Sequence, residues 1–299
     1  MQLATSTGDF AVLENQEERL RHIYDAGFRH VDFSMYSESE VAFITDSGWE
    51  GRVKAYKKYA DALSIAFVQA HSPDISNLCK KYSYEEAIKI TGRSFEVCRL
   101  LGIKNTVVHS FFCFPTKEEF FEKNKAFYEK LIPLAEKNGV NILVENSTCA
   151  NQGNNYPFAT GEDMKEFVEC MNHPLIHACW DTGHANIENH QYDDIVALGD
   201  DLYALHINDN YGKRDQHQMP YIGSMSIDEV MCALKEINYK GCFTFETSYT
   251  VVGACRRRQY KESGRLLNAP MFIYDDIEKL LYKIGKYILK TYGLLEDRI

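Results

Sequence analysis

The sequence predicts an α/β protein built as a single-domain (β/α)8 TIM barrel. Eight short β-rich segments alternate with amphipathic helical segments, and 299 residues allow about 37 for each strand–helix unit. No Pro- or Ser-rich linker divides the chain. An open, doubly wound sheet is the main rival, but neither G-x-G-x-x-G nor G-x-x-x-x-G-K, the glycine-rich phosphate turns of such folds, occurs. The closed barrel is therefore the better prediction.

Strands are predicted where apolar and β-branched residues form short runs, and helices where apolar residues recur every three or four positions. The predicted strands are residues 2–6, 30–33, 63–71, 106–109, 141–145, 176–181, 202–206 and 242–246. The predicted helices are residues 16–26, 84–101, 118–138, 161–171, 226–237 and 274–291. Gly27, Gly102 and Gly139 follow the first three of these helices and fit the left-handed position that often ends a helix.

The overall charge disfavours nucleic acid and anionic membranes as partners. Acidic residues outnumber basic ones by 43 to 33, which gives a formal net charge of −10. The nine cysteines are irregularly spaced and include no C-x-x-C pair, and the sequence does not open with a charged-then-apolar leader. These features predict reduced thiols in a cytoplasmic protein. No apolar run approaches the roughly 18 residues of a membrane span, so no membrane association is expected.

One segment is longer than an ordinary loop between a strand and a helix. Residues 250–270, after the eighth strand, form a basic insertion with four arginines and one lysine. One interpretation is a solvated surface loop or a subunit contact, because charge runs are usually exposed. The other is a lid or an anion-binding element, because loops after strands seven and eight of such barrels often bind phosphate. The basic residues are Arg256, Arg257, Arg258, Lys261 and Arg265.

Ionisable side chains stand at the last position of six predicted strands. The carboxyl ends of barrel strands meet at one face, where active sites lie, so these side chains are expected to share one cup. A carboxylate at the end of an apolar strand must be paired or metal-bound to offset its lost hydration. A single such residue, taken alone, is more often a core histidine or part of an ion pair; the shared face favours a site. The six residues are His71, His109, Glu145, Asp181, His206 and Glu246.

Two glutamates, an aspartate and an imidazole suit a divalent ion such as Mn²⁺, Co²⁺ or Zn²⁺, with Mg²⁺ as a further candidate. Five motifs extend this pattern from the fifth strand to the eighth. They are VEN at 144–146, WDTGH at 180–184, LHIND at 205–209, DQH at 215–217 and FET at 245–247. With these motifs the chain resembles the xylose isomerase-like TIM-barrel superfamily. This superfamily includes sugar isomerases and epimerases and the endonuclease IV type of apurinic endonuclease.

The resemblance implies a metal-dependent isomerase or epimerase that acts on a ketose or a related hydroxy-carbonyl compound, either a sugar or a sugar phosphate. It implies that Glu145, Asp181, His206 and Glu246 hold one divalent ion. Glu145 and Glu246 would also take and return the substrate proton through an enediolate. The positions that would contact substrate are His71, His109, His184, Asp215 and His217.

The endonuclease branch gives the alternative reading. There the resemblance implies a three-zinc cluster for cleaving abasic DNA, in which Glu145 bridges two ions. The two further zinc ions would be bound by His71, His109, His184, Asp215 and His217. The net acidity of the chain counts against this reading. A barrel that binds a metabolite without turnover is less favoured, because both acid–base glutamates are present.

The sequence leaves open the identity of the sugar, its phosphorylation, and the choice between isomerisation, epimerisation and dehydration. It also leaves open a homo-oligomer. The aromatic-rich stretch at 120–128 fits a subunit interface and barrel packing equally well.

Overall fold

The computed structural model describes residues 1–111, 114–153, 155–248, 250 and 270–296. Eight parallel strands form one sheet, in the order β7-β6-β5-β4-β3-β2-β1-β8. Their bounds are β1 Leu3–Ser6, β2 His30–Ser34, β3 Ala66–His71, β4 Asn105–Val107, β5 Asn141–Glu145, β6 Ile176–Asp181, β7 Leu202–His206 and β8 Phe243–Phe245.

The sheet closes on itself just beyond β7. The Ile207 N–H donates to the Thr244 carbonyl at 2.8 Å, and the Glu246 N–H donates to the Ile207 carbonyl at 3.2 Å. These bonds join the two outer strands of the sheet, so the sheet forms a nearly closed barrel. The predicted TIM barrel is confirmed.

All eight predicted strands are present, but four of them, β1, β3, β4 and β8, are shorter than predicted. The prediction that a strand begins at residue 63 is wrong: Ser64 adopts a φ of 55°, and Ile65 donates its N–H back to Ala60, so this stretch turns the chain out of a helix. The fourth strand ends at Val107, and His109 lies two residues beyond it. Likewise, Glu246 follows the last residue of β8.

Helices surround the barrel. The six predicted helices are present as α1, α5, α6, α8, α11 and α12. Sequence reasoning missed the others, including α3, whose buried face consists only of Val53, Tyr56 and Ala60 and so gives a weak periodic signal. The bounds are α1 Gln16–Ala26, α2 Glu38–Thr45, α3 Trp49–Ala62, α4 Ile75–Leu78, α5 Tyr84–Leu101, α6 Lys117–Asn138, α7 Cys149–Gln152, α8 Gly161–Met171, α9 Thr182–Glu188, α10 Tyr192–Leu198, α11 Ile227–Glu236 and α12 Met271–Thr291.

The predicted helix ends at Gly27, Gly102 and Gly139 are confirmed. All three residues have positive φ values, of 115°, 81° and 63° respectively. Glycine adopts this conformation without the steric cost that a Cβ would bring. Each turn returns the chain from a helix to the next strand.

The main hydrophobic core lies between the sheet and the helices, and a second, smaller apolar layer lies inside the barrel. None of the described helices combines the length and the apolar character that a membrane crossing needs. Arg256, Arg257, Arg258, Lys261 and Arg265 of the basic insertion lie outside the described residues. The two interpretations of that insertion therefore stay predictions.

Candidate metal centre

The strand geometry places the predicted site residues inside the barrel. Successive side chains of a strand alternate between its two faces, so residues two positions apart point the same way. The apolar layer inside the barrel is formed by Val107, Leu143, Cys179 and Ala204. The residues two positions further along are His109, Glu145, Asp181 and His206. A polar cup therefore lies directly above this layer, at the carboxyl ends of the strands.

Four residues form the centre of this cup. Each of Glu145, Asp181, His206 and Glu246 offers one donor atom, and these atoms all lie within 4.8 Å of one another. The Nδ1 atom of His206 contacts Oε1 of Glu145 and lies 3.4 Å from Oε2 of Glu246. Asp181 and His206 are fully buried, whereas the Glu246 side chain keeps 21% of its surface exposed. The sequence predicted this set, and the fold brings it together.

Burial and the neighbouring charges shift the pKa values of the two glutamates of the centre in opposite directions. Burial raises the pKa of Glu246 to about 7, and the carboxylates of Glu145 and Asp181 add to the rise. Burial also tends to raise the pKa of Glu145, but His206 and His109 lower it well below its usual range. Three carboxylates, of which Glu145 and Asp181 are buried, face one imidazole, so the centre has an excess of acidic groups that a cation would balance.

Two further donor groups adjoin the centre. The Nε2 atoms of His71 and His109 lie 3.1 Å apart, and the latter is 2.7 Å from Oε2 of Glu145. On the other side, Asp215 lies between two histidines, with Oδ2 at 3.0 Å from Nε2 of His184 and Oδ1 at 3.0 Å from Nε2 of His217. All nine predicted site residues therefore stand in three contiguous groups.

Three histidines of the cup have a ring nitrogen fixed by a backbone carbonyl. The Nδ1 atom of His71 donates to the Ser72 carbonyl at 2.9 Å. The Nδ1 atom of His184 donates to the Asn146 carbonyl at 2.8 Å. The Nδ1 atom of His217 donates to the Glu246 carbonyl at 3.1 Å. A carbonyl accepts but does not donate, so Nδ1 carries the proton. In the neutral ring, Nε2 then presents its lone pair to the cup.

The other two histidines are fixed by carboxylates that are not among the candidate ligands. Nδ1 of His109 lies 3.2 Å from Oδ2 of Asp74, and Nε2 of His206 lies 3.2 Å from Oδ2 of Asp32. In both rings the opposite nitrogen faces Glu145. In each ring one nitrogen is hydrogen-bonded to a carboxylate outside the candidate ligand set, and the other nitrogen points at an acidic oxygen of the centre. This arrangement is typical of metal-ligating histidines. The donor set therefore fits a divalent ion.

Several residues that sequence reasoning missed hold the ligands in position. Asn208 and Asn146 hydrogen-bond to Asp181, and Asn151 donates to Oδ2 of Asp215 at 3.1 Å. Asn146 and Asn208 lie within the quoted motifs, next to or two residues from a predicted ligand. Asp32 is a charged residue between two buried apolar residues of β2, Val31 and Phe33, a signal that could have marked it.

The cup opens into a cavity of about 680 Å³. This volume is within the range of small-molecule sites. Serine hydroxyls from several strand ends line it, including Ser34, Ser110 and Ser147. Tyr36 lies at the rim with 44% of its surface exposed, and its ring packs edge-on against His71 at a centroid distance of 5.2 Å. The lining of the cavity is therefore polar and rich in hydroxyl groups.

Comparison with known proteins identifies the family. Residues 20–269 match the family model described as xylose isomerase-like TIM barrel. The chain belongs to that family. The predicted resemblance is confirmed.

Three individual proteins that resemble this chain share less than 30% of its sequence. The L-ribulose 3-epimerase of Methylomonas sp. (strain DH-1) is 29% identical over 136 residues, which cover 44% of each chain. A crystal structure of D-psicose 3-epimerase in the presence of D-fructose has a TM-score of 0.73 at 17% identity, covering 97% of this chain and 99% of that one. The IOLI protein with a bound zinc atom has a TM-score of 0.74 at 17% identity, covering 98% and 99%. These structures show the shared fold.

Proposed function

We propose that this chain is a divalent-metal-dependent isomerase or epimerase of a ketose or a related hydroxy-carbonyl compound, phosphorylated or not. The observation that carries the proposal is the pair of glutamates, Glu145 and Glu246, which lie on His206 at the floor of a sugar-sized cavity, the first buried and the second partly exposed. Such a pair suits one group that takes a proton and another that returns it. Similarity to the L-ribulose 3-epimerase supports this reading.

Both glutamates line the cavity, and Glu246 is the more exposed of the two, so it is the carboxyl group that would exchange a proton with the substrate. Glu145 is more deeply buried and stays ionised, held by His109 and His206. A divalent ion held by Glu145, Asp181, His206 and Glu246 would supply the positive charge that stabilises the enediolate formed when the substrate proton leaves.

The remaining polar side chains of the cup would orient the substrate. His184 is fixed through Nδ1 and directs Nε2 towards Asp215, so this pair can hold a substrate hydroxyl. His71, His109 and His217 line the same cavity. Their fixed rings cost little entropy on binding, because neighbouring groups already hold their orientation.

The test combines metal analysis with proton exchange. The purified chain is loaded with Mn²⁺, Co²⁺ or Zn²⁺ and incubated in D₂O with a panel of ketoses and ketose phosphates. We expect one ion per chain, an epimer or aldose product, and deuterium at the carbon next to the carbonyl. A folded, metal-loaded protein that incorporates no deuterium into any panel member would contradict the proposal.

One observation favours a second candidate, a phosphodiesterase acting at abasic DNA. The three donor groups could hold three zinc ions, with Glu145 belonging to both the His71–His109 group and the central one. The formal net charge of −10 counts against a polyanionic substrate. Three zinc ions per chain together with cleavage of an abasic duplex would favour this candidate. One ion per chain together with ketose exchange would favour the first.

The proposal leaves three sequence predictions as they stand. A cytoplasmic location, a homo-oligomeric state and the domain boundaries at 1–299 with a basic insertion remain predictions. Size-exclusion chromatography with light scattering would measure the oligomeric state of the purified chain directly.

A further inference from the structure

A buried carboxylate that sequence reasoning did not predict lies behind the centre. Asp32, on β2, is 1% exposed, and its Oδ2 atom lies 3.2 Å from Nε2 of His206. Gln69 donates its Nε2 hydrogen to the same oxygen at 2.7 Å, and Thr244 donates its hydroxyl to Oε1 of Gln69 at 3.0 Å. A line of hydrogen bonds therefore crosses the barrel interior from β8 through β3 and β2 to β7.

Asp32 is costly to keep in this position. A carboxylate removed from water loses its hydration, which only a cation or several donors can offset. Within the described part of the chain, Oδ1 of Asp32 has no hydrogen-bond partner, and no lysine or arginine pairs with this carboxylate. An apolar side chain of similar size would serve the barrel interior better, so packing does not explain Asp32.

The contact between Asp32 and His206 explains why a carboxylate lies at this position. We propose that Asp32 is a positioning residue that keeps the proton of His206 on Nε2, so that the Nδ1 lone pair stays aimed at the site between Glu145 and Glu246. This inference rests on the proposed metal centre. A carboxylate behind a ligating imidazole fixes the tautomer, orients the ring and increases the basicity of the ligating nitrogen.

Gln69 sets the polarity of this line of hydrogen bonds. Its Oε1 accepts from Thr244, so its amide group must turn the Nε2 hydrogens towards Asp32. Asp32 therefore receives hydrogen bonds from both Gln69 and His206 and donates none. An asparagine at position 32 keeps the shape, and its carbonyl oxygen can still accept both hydrogen bonds, but it removes the negative charge behind the His206 ring.

The experiment compares Asp32→Asn with Asp194→Asn. Asp194 is also buried, but it accepts from the Gly161 N–H in the helical layer, away from the cup. The affinity of each purified full chain for Co²⁺ is measured by chelator competition, and the melting temperature (Tm) of each metal-free protein is recorded. For Asp32→Asn we expect Co²⁺ affinity 10–100-fold weaker, with the metal-free Tm unchanged or higher. Asp194→Asn should bind Co²⁺ within about twofold of wild type.

Two results would overturn the inference while leaving the proposed centre intact. One is Co²⁺ affinity within twofold of wild type in Asp32→Asn; the other is a weaker affinity that falls in step with the metal-free Tm, as a general structural defect would produce. A wild-type chain that binds no Co²⁺ overturns both the centre and this inference. If Asp32→Asn does not fold, Thr244→Val tests the same line from its other end. It should weaken Co²⁺ binding and alter the visible spectrum of bound Co²⁺, and an unchanged affinity and spectrum would overturn the inference.

Discussion

Asn208 holds Asp181 in a fixed orientation. The side-chain amide of Asn208 donates to Oδ2 of Asp181 at 2.7 Å, while Oδ1 accepts the backbone N–H of His184 at 2.7 Å, at the start of α9. Both carboxylate oxygens therefore have a protein donor, and the side chain has one position available. Gly183 lies against this pair, because a Cβ there would come within 1.8 Å of Oδ1 of Asn208.

We expect Gly183→Ala to disturb the centre through Asn208. The added methyl group must displace a buried amide, which should cost roughly 1–3 kcal/mol of unfolding free energy and weaken divalent-metal binding. Urea unfolding and chelator competition measure the two effects. Gly51→Ala in α3 is the matched control, since no atom lies within 4 Å of its Cβ position. It should stabilise the chain by about 0.5–1 kcal/mol. Wild-type stability and affinity in Gly183→Ala would show that Asn208 has room to move.

Glu246→Gln should abolish proton exchange without unfolding the chain. Glutamine has the shape of glutamate but cannot take a proton, so deuterium uptake into the ketose should fall by about 10²-fold or more. Metal content is measured alongside, because Glu246 is also a candidate ligand. Glu169→Gln, at an exposed position near the end of α8, serves as the control and should keep the wild-type rate. An undiminished rate in Glu246→Gln would remove the catalytic assignment.

Divalent metal should stabilise the folded chain. The centre is assembled only in the folded state, so a free ion concentration of 100 times its Kd adds about 2.7 kcal/mol to the free energy of unfolding. For a chain of this size the Tm should rise by roughly 5 °C. Calorimetry with chelator and with added Mn²⁺ or Zn²⁺ measures the rise. Asp181→Asn should lose most of it, and an equal rise in that variant would place the stabilising ion elsewhere.

Glu278→Gln should change the pH dependence of stability. Burial raises the pKa of Glu278 in α12 from 4.5 to about 7, against the hydrogen bond from Thr5. Because the folded pKa lies above the unfolded one, the stabilising contribution of the protonated carboxyl is complete below about pH 4.5. It is lost as the pH rises through about 7.

Glutamine cannot ionise, so the variant should gain stability over wild type at pH 8, on the order of 3 kcal/mol, and little at pH 4.5. Thermal unfolding across this pH range measures the difference. Glu169→Gln, which changes an exposed glutamate, should follow the wild-type curve. A pH-independent difference between Glu278→Gln and wild type would contradict the assignment.

The barrel and the four central residues were predictable because their signals are local. Strand and helix periods appear in short windows, and parallel strands necessarily bring their carboxyl ends to one face. Glu145 and Asp181 end apolar strands, so the sequence marks them directly. α3 was missed because tyrosine and alanine form most of its buried face, and these residues do not stand out as an apolar stripe.

The supporting residues were not predictable in the same way. Asn208 lies within a quoted motif, but its role depends on the close approach of Gly183 from another strand end. The sequence shows Asp32 only as a charged residue within a strand, and its role becomes clear once its contact with His206 is known. Each of these roles depends on distances between segments that are far apart in the chain.

The order of residues along the chain by itself determined the barrel, the inward direction of the ligands and the chemistry of their donor atoms, because strand alternation and side-chain type are local properties. Only the tertiary structure decided which nitrogen of each histidine faces the cup and which residue holds it from behind. The bond between Asp32 and His206 joins residues 174 positions apart, and no local pattern encodes such a pairing.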